Sequence, residues 1–141
     1  MATNLLTHSR KKWRERGYYV EGTEQINRLP GGIVRRKDLF GFADLVAIPL
    51  ARSRPGDDTF VFIQVTSKPN VSTRLRKIQD GEETHGRGQW ARPISELAEA
   101  VLDADHRIIV EGWHQPKGPG TKWECREEEV EIDALSTAGS P

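Results

Sequence analysis

The chain has a single cysteine, no long apolar run and no net charge, and each of these shortages excludes a class of protein. With Cys125 alone among 141 residues, the chain cannot form an internal disulfide or a cysteine-based zinc cluster. No apolar run approaches the ~20 residues of a membrane span, and the charged-then-apolar order of a secretion signal is not found. We therefore expect a cytoplasmic protein.

The length and the hydrophobic content set the expected domain organisation. With 35% hydrophobic residues, a chain of this length can bury one core and needs no second domain. We expect a single domain over residues 1–133. Small and polar residues over 134–141 predict a flexible C-terminal tail.

The zero net charge conceals a strong segregation of charge along the chain. Residues 1–77 hold fifteen Lys and Arg against seven Asp and Glu, a balance of +8, and residues 78–141 hold six against fourteen, a balance of −8. Either folding intermixes the two halves into an ordinary surface, or the basic half forms one face that attracts a polyanion.

Hydrophobic periodicity and turn residues predict an α/β domain with a mixed central sheet flanked by helices. The predicted elements, in chain order, are a helix over 4–16, strands over 18–21 and from 33 onward, buried strands over 43–48 and 60–65, helices beginning after 70 and at 93, and terminal strands over 107–113 and 122–126. The strand over 43–48 is almost continuously apolar, so we expect it to be central.

Two polar side chains stand in the buried strands, where packing gives no reason for them. Asp44 lies one residue inside the first strand and Gln64 near the end of the next. An ionised carboxylate there costs on the order of several kcal/mol unless a cation or strong hydrogen bonds compensate. Mg²⁺ binds carboxylate and amide oxygens and carries water that can attack a phosphodiester. Asp44 is therefore a candidate metal ligand; alternatively, it caps the turn after Gly41 or pairs with Arg35 or Arg36.

These residues resemble the motif of the PD-(D/E)XK nuclease superfamily, and within it the archaeal-type Holliday junction resolvases and related phage and bacterial endonucleases. The resemblance covers roughly residues 5–78, in which an Asp on one strand is followed on the next by a Gln, with basic helices before and after. It implies a restriction-endonuclease-like core that binds Mg²⁺, with Mn²⁺ as a substitute. It also implies hydrolysis of DNA in recombination, often by a homodimer on branched substrates.

The resemblance assigns the metal ligands and leaves the catalytic lysine open. Asp44 takes the place of the motif Asp, Gln64 that of its Glu or Gln, and Val65 lends its backbone carbonyl to the metal. Thr66 stands where the motif has lysine. Lys68, which keeps to the same side if the strand continues, and Lys77 on the following helix are the two candidates to replace it.

A further carboxylate is expected because resolvase-like members carry a metal-binding Glu near the start of the first helix. Residues 4–8 of this chain, Asn-Leu-Leu-Thr-His, provide none. Asp38, at the mouth of the strand that holds Asp44, is the candidate replacement. The alternative is a loop residue that pairs with Arg35.

Basic residues cluster at three places that fit a phosphate-tracking surface: the first helix, the run before the Asp strand, and the helix after the Gln strand. The predicted DNA-binding residues are Arg10, Lys11, Lys12, Arg14, Arg35, Arg36, Lys37, Ser67, Arg74, Arg76 and Lys77. None of these helices carries a base-reading pattern, so we expect binding through the phosphate backbone that salt weakens strongly.

The motif leaves two hypotheses of different class. The first is a metal-dependent endodeoxyribonuclease in which Asp44, Gln64 and Asp38 hold the ion and Lys68 or Lys77 assists. The second is a DNA-binding module that keeps the nuclease fold but has lost turnover through Thr66 and the missing helix glutamate.

Overall fold

The computed structural model describes residues 2–23, 25–28, 30–32, 34–50 and 59–132, and this part of the chain forms an α/β fold. Its helices and strands, in chain order, are α1 (Ala2–Glu15), β1 (Tyr18–Gly22), β2 (Gln25–Arg28), β3 (Val34–Lys37), β4 (Leu45–Pro49), β5 (Val61–Ser67), α2 (Val71–Asp80), β6 (Thr84–His85), β7 (Arg92–Pro93), α3 (Ile94–Asp103), β8 (Arg107–His114) and β9 (Glu124–Glu129). The predicted class is thereby confirmed. The tail predicted over 134–141 lies outside the described residues.

Five strands form a mixed central sheet in the order β1-β4-β5-β8-β9. All neighbours are antiparallel except β5 and β8, which run parallel. A parallel pair needs a long crossover connection, and α2 and α3 lie on the chain between these two strands. The strand expected to be central, β4, is second from the edge, and β5 occupies the middle position.

The two faces of the sheet are covered by different helices. Side chains alternate along β5, so that Val61 and Ile63 pack against Trp13 of α1, and Phe62 packs in the cluster that contains Ile78 of α2. We call these the α1 face and the α2–α3 face. Both faces of the middle strand are therefore buried, as its continuous apolar run predicts.

The first helix is held to the sheet by its last turns. Trp13 is buried, and its ring meets that of Tyr18 edge-on at 5.0 Å. Gly17, predicted to end the helix, has φ +94° just beyond it. At 14 residues α1 is the longest helix, and among the described residues no helix has the length and apolar character needed to cross a membrane.

Two strand boundaries differ from the prediction at positions that matter for the site. β4 begins at Leu45, so Asp44 stands one residue before the strand and not inside it. β5 ends at Ser67, and Lys68 begins a short 3-10 turn. Pro69 explains the second difference, because its fixed φ and missing N–H do not continue a ladder. The strand continuation on which the position of Lys68 depended therefore does not occur.

Candidate metal centre

A tight hairpin brings Asp38 and Asp44 face to face. Leu39 and Ala43 form an antiparallel bridge in which each N–H donates to the other's carbonyl at 2.9 Å. Asp38 and Asp44 are the next residues outward on either side. Residues directly opposite in an antiparallel pair point to the same face, so the hairpin places the two carboxyl groups together.

The turn that closes this hairpin requires glycine. Phe40 and Gly41 have φ of +57° and +81°, two consecutive left-handed residues as in a type I′ turn. A Cβ on Gly41 would lie 2.7 Å from Cδ1 of Ile94 on α3. Gly41 therefore fits both the backbone conformation and the close approach of α3.

Asp44 also meets β5. The register pairs Leu45 with Ile63, and just before the strand the Asp44 N–H donates to the Ile63 carbonyl at 2.8 Å. Asp44 Oδ2 accepts hydrogen bonds from the N–H of Val65 at 2.8 Å and from Nε2 of Gln64 at 3.1 Å. The carboxylate thus bonds to β5 and does not act as a cap on its own turn.

Both motif side chains lie on the same face of the sheet. Gln64 is in step with Phe62, which belongs to the cluster under α2 and α3, and the side-chain amide of Gln64 contacts the Asp44 carboxylate. The candidate site therefore lies on the α2–α3 face. Thr66 is also in step with Gln64 and is buried, so the position of the motif lysine faces the same way with a short side chain.

The environment favours a protonated Asp44. Burial, together with the negative charge of Asp38 and a hydrogen bond to it, raises the pKa of Asp44 to about 7. The N–H of Val65 and the amide of Gln64 oppose this rise. Within the described side chains, neither Asp38 nor Asp44 has an ion pair with lysine or arginine. The alternative pairings with Arg35 or Arg36 lie outside the described side chains.

One oxygen beside the carboxyl pair has no donor. Oε1 of Gln64 is buried without a hydrogen-bond partner among the described residues. An unsatisfied buried acceptor lowers the free energy of unfolding by about 1–3 kcal/mol. The Val65 carbonyl points to the same strand edge as its N–H, toward Asp44. With the Gln64 amide rotated by half a turn, its oxygen would join the Val65 carbonyl and the carboxylates of Asp38 and Asp44 in an all-oxygen donor set, which is the set that Mg²⁺ prefers. The residues present therefore fit the predicted ion.

An open cavity of about 230 Å³ adjoins Asp38. Its walls include Asp38, Lys77, Glu83, Thr84, His85 and Ile94. Nζ of Lys77 lies 3.5 Å from Oε2 of Glu83. Lys77 is the only lysine among the described residues that line it, and Lys68 lies exposed on its turn. Of the two candidate lysines, the structure brings Lys77 to the cavity.

The predicted DNA-binding residues do not form one surface. Arg10, Lys11, Lys12 and Arg14 lie on α1, which covers the face opposite the candidate site. Arg74, Arg76 and Lys77 lie on α2, on the same face as the site, and Ser67 ends β5. Arg35, Arg36 and Lys37 lie in β3, which pairs with β2 in a separate two-stranded sheet, and their side chains are outside the described part.

Two residues of α1 depart from the expected exposure. Lys12, predicted to be exposed and DNA-binding, is largely buried, with Nζ 2.6 Å from carboxylate oxygens of both Glu111 and Glu127. The expected exposure of Lys12 is therefore wrong, and its DNA-binding role, which stays a prediction, is disfavoured because this ion cluster uses the charge internally. The guanidinium of Arg10 lies over Gly22, at the end of β1 nearest Asp44, and its Nε is buried.

Sequence reasoning missed the partner of Lys12. Glu111 is fully buried on the α1 face, where it accepts hydrogen bonds from the indole N–H groups of Trp13 and Trp113. The signal was present, because a charged residue interrupts the apolar strand over 108–113.

Glu111, Cys125 and Glu127 have the spacing of a metal-binding cluster, with ligand atoms within 4.8 Å of one another. The ammonium group of Lys12 already contacts all three, at 3.5 Å from the sulfur. Burial and the charge of Glu111 raise the pKa of the Cys125 thiol to about 12, so it remains protonated. A metal prefers the thiolate, and the cluster is therefore best described as a buried ion pair that fixes α1.

Comparison of the chain with protein-family models, with curated proteins and with solved structures gave no significant match. The functional interpretation below therefore depends on the geometry of the site.

Proposed function

We propose that the chain is a Mg²⁺-dependent endonuclease that hydrolyses DNA phosphodiester bonds. The observation that carries this proposal is the contact of the Asp44 carboxylate with both the amide of Gln64 and the N–H of Val65. It puts the two motif side chains on one face, within reach of one ion. Asp38, hydrogen-bonded to Asp44, adds the carboxylate that the first helix does not supply.

The residues of the site have distinct roles in this proposal. Asp44, Asp38, the Gln64 side chain and the Val65 carbonyl would hold the ion. Mg²⁺ bound there would supply a Lewis acid for the phosphate oxygens and an activated water. Lys77, on the wall of the adjoining cavity, would contact the scissile phosphate and stabilise the negative charge that develops on it.

The free amide oxygen of Gln64 supports the same assignment. In the present arrangement its Nε2 faces Asp44 and its Oε1 is unpartnered. Rotation of the amide by half a turn exchanges the positions of these two atoms. A bound cation would favour the rotated form, because it turns an oxygen toward the ion.

The finer parts of the proposal depend on the resemblance over residues 5–78. We include a restriction-endonuclease-like core, action on branched DNA in the manner of Holliday junction resolvases, and a homodimeric assembly. The mixed sheet with helices on both faces is compatible with such a core. Arg74 and Arg76 on α2, on the same face as the site, are proposed to bind the DNA backbone.

The second candidate function is a DNA-binding module of the same fold without turnover. Thr66 favours it, because this buried residue occupies the motif position of the lysine. The two candidates differ in one respect only. The enzyme breaks phosphodiester bonds when the ion is present, whereas the module binds DNA and leaves it intact.

A cleavage assay separates the two candidates. Labelled four-way junction and linear duplex DNA are incubated with the protein in Mg²⁺, Mn²⁺ or chelator, and Asp44→Asn is compared with Asp103→Asn, a matched change at an exposed position. The enzyme predicts nicking that requires the ion, is lost in Asp44→Asn and is retained in Asp103→Asn. Binding without nicking under all conditions leaves the module. Nicking that survives Asp44→Asn contradicts the proposed site.

A further inference from the structure

The most exposed large apolar side chain of the described residues is Trp90. It is 75% exposed, compared with 53% for Tyr19 and 38% for Trp123. A single exposed aromatic residue is common on protein surfaces and carries no meaning by itself. Trp90 differs from a scattered surface residue because it lies on the β6–β7 hairpin, whose base lines the cavity beside Asp38.

Trp90 lies at the tip of a short hairpin that rises from the cavity. β6 and β7 pair through Thr84 with Pro93 and through His85 with Arg92, and residues 86–91 form the tip. The base of the hairpin contributes Glu83, Thr84, His85 and Gly86 to the cavity wall beside Asp38. The hairpin is therefore one side of the cavity, and its tip extends that side outward.

Gly86 connects the cavity to the tip directly. It lines the cavity, and a Cβ placed on it would lie 3.3 Å from the carbonyl oxygen of Trp90. The backbone of Trp90 thus packs against a residue of the cavity wall.

The tip is held in one conformation by its own hydrogen bonds. Residues Gly88–Trp90 form a 3-10 turn in which the Trp90 N–H donates to the Arg87 carbonyl at 3.1 Å. Nη1 of Arg92 donates to the carbonyls of Gln89 at 3.0 Å and Ala91 at 2.9 Å. An exposed aromatic ring on a preorganised loop loses little further freedom when it binds.

The charges around the indole fit a polyanion. Arg87, at the tip, is exposed and forms no ion pair with the described residues, so its charge is available. Arg92 is exposed at the base of the tip, where its guanidinium lies 3.9 Å from the carboxylate of Glu96, and Lys77 lines the cavity. An exposed aromatic ring close in the chain to a cation without a carboxylate partner suits single-stranded nucleic acid, where the ring stacks on a base and the cation contacts a phosphate.

We propose that Trp90 stacks on an unpaired DNA base while the adjoining phosphate lies in the Asp38 cavity. The proposal rests on the proposed function, from which it takes the location of the DNA. It narrows the substrate class to DNA with unstacked bases, such as a branch point, a gap or a single-stranded flank. A continuous duplex offers no free base face to the indole, so the contribution of Trp90 is confined to unpaired substrates.

The test measures binding in chelator, so that it does not depend on cleavage. Fluorescence anisotropy compares a fully paired duplex with the same sequence carrying a run of unpaired bases, for the wild type, Trp90→Ala, Trp90→Phe and Tyr19→Ala. Tyr19 is the matched control: it is exposed on β1 and pairs with Ile48, at the end of β4 remote from Asp44. Because Trp90 is exposed, we expect all four proteins to have the same melting temperature.

We expect Trp90→Ala to weaken binding of the unpaired substrate by about 5- to 150-fold, the range that loss of one base-stacking contact gives, and to leave duplex binding within about 2-fold. Trp90→Phe should retain most of the affinity because a ring remains, and Tyr19→Ala should retain all of it. Equal weakening on both substrates, or no weakening on either, overturns the proposal. So does a Trp90-dependent self-association that DNA does not affect.

The outcomes also separate this proposal from the proposed function. A Trp90-dependent preference for unpaired DNA without metal-dependent nicking supports the stacking site on a binding module. Metal-dependent nicking that is insensitive to Trp90→Ala, with binding also unchanged, keeps the nuclease and removes the stacking site. Absence of DNA binding by the wild type both in chelator and in Mg²⁺, together with absence of nicking, removes both.

Discussion

Asp38 and Asp44 stand opposite each other across one bridge of a hairpin, and a hydrogen bond joins their carboxyl groups. The negative charge of Asp38 disfavours ionisation of the Asp44 carboxyl group. Burial adds to the effect, and the pKa of Asp44 rises to about 7. The arrangement is unfavourable for stability and suitable for holding a cation.

The raised pKa predicts how the stability of the metal-free protein depends on pH. The unfolded chain releases the Asp44 proton near its ordinary pKa of 3.8, whereas the folded chain keeps it until about 7. Between these values the folded state binds more protons, so the free energy of unfolding falls as pH rises. Asp44→Asn removes this dependence, and Asn can still accept from the Val65 N–H and donate to Asp38.

We therefore expect Asp44→Asn to be more stable than the wild type by about 1–4 kcal/mol at about pH 8 in chelator. The difference should nearly vanish at about pH 3, below both pKa values, where the wild-type carboxyl is protonated in both states. Thermal or urea unfolding at the two pH values measures it, with Asp103→Asn as the exposed control. Lower stability of Asp44→Asn at pH 8 would contradict the assigned protonation.

Metal binding should oppose the fall in stability with pH that we expect for the metal-free protein. A divalent cation binds the deprotonated carboxylates, so Mg²⁺ or Mn²⁺ should raise the melting temperature more at about pH 8 than at about pH 5 and release protons on binding. Asp44→Asn should abolish the metal-induced rise, and Asp103→Asn should leave it unchanged. Calorimetry in two buffers of different ionisation enthalpy counts the released protons. A rise that is equal at both pH values argues against carboxylate ligation at this pair.

Lys68, just after β5, and Lys77, on α2, are expected to differ in their effect on catalysis. Lys77 lines the cavity beside Asp38, whereas Lys68 is exposed on the turn that Pro69 imposes. If Lys77 stabilises the developing charge on the phosphate, Lys77→Ala should lower kcat by about 100- to 1,000-fold, the usual loss for one such donor. Lys68→Ala should change it by less than about 3-fold, an ordinary surface effect.

Single-turnover cleavage of the preferred DNA measures both lysine variants. Because Lys77 also meets Glu83, circular dichroism and a melting curve must show that Lys77→Ala is folded. A large loss in Lys68→Ala with normal Lys77→Ala would exchange the two roles. Equal, small losses in both would leave the site without a catalytic lysine and favour the DNA-binding module.

The sequence predicted the proximity of Asp44 and Gln64 better than it predicted the exposure of the basic residues on α1, and the reason is physical. A polar residue beside or inside an apolar strand must find a partner, and this argument located Asp44 and Gln64, which contact each other across the β4–β5 register. The same argument applies to Glu111, which forms an ion pair with Lys12 and accepts hydrogen bonds from two indole N–H groups. The pattern identifies a buried polar group but does not distinguish a metal ligand from an ion pair.

Lys12 shows why the basic surface could not be read from the chain. Within α1 it is one of three consecutive basic residues, and helical periodicity gives its direction relative to α1 alone. Whether that direction is solvent depends on β8 and β9, far away in sequence, which place Glu111 and Glu127 beneath it. Trp90 was missed for the opposite reason, because a polar loop gives no local indication that its tip adjoins a cavity.

The Lys12 cluster gives a stability prediction with a matched neighbour. Lys12→Ala leaves Glu111 buried without its cation, and removal of one member of a buried pair typically costs about 3–5 kcal/mol. Lys11→Ala, at an exposed position on the same helix, should cost less than about 0.5 kcal/mol. Urea unfolding of both variants measures the difference.

A second change distinguishes a buried charge from lost packing. In Lys12→Ala combined with Glu111→Gln, no carboxylate charge is left uncompensated at position 111, and the indole donors of Trp13 and Trp113 still have an oxygen to bind. We expect the double variant to recover about 1–3 kcal/mol relative to Lys12→Ala. Similar stability of the Lys11 and Lys12 variants would show that the pair does not hold α1 in place.

Gly41 connects the fold to the site, and its substitution should affect both. In Gly41→Ala the backbone must keep φ near +81° and the new Cβ approaches Ile94 Cδ1 at 2.7 Å. Gly31 has nearly the same φ, +83°, with nothing within 4 Å of its Cβ position, so Gly31→Ala isolates the backbone cost. We expect the free energy of unfolding to fall by about 1 kcal/mol in Gly31→Ala and by about 2–4 kcal/mol in Gly41→Ala.

The same turn places Asp38 beside Asp44. Gly41→Ala should therefore also weaken the metal-induced rise in melting temperature, and Gly31→Ala should not. Equal costs for the two substitutions would mean that α3 yields to the new methyl group and that the turn does not depend on this contact.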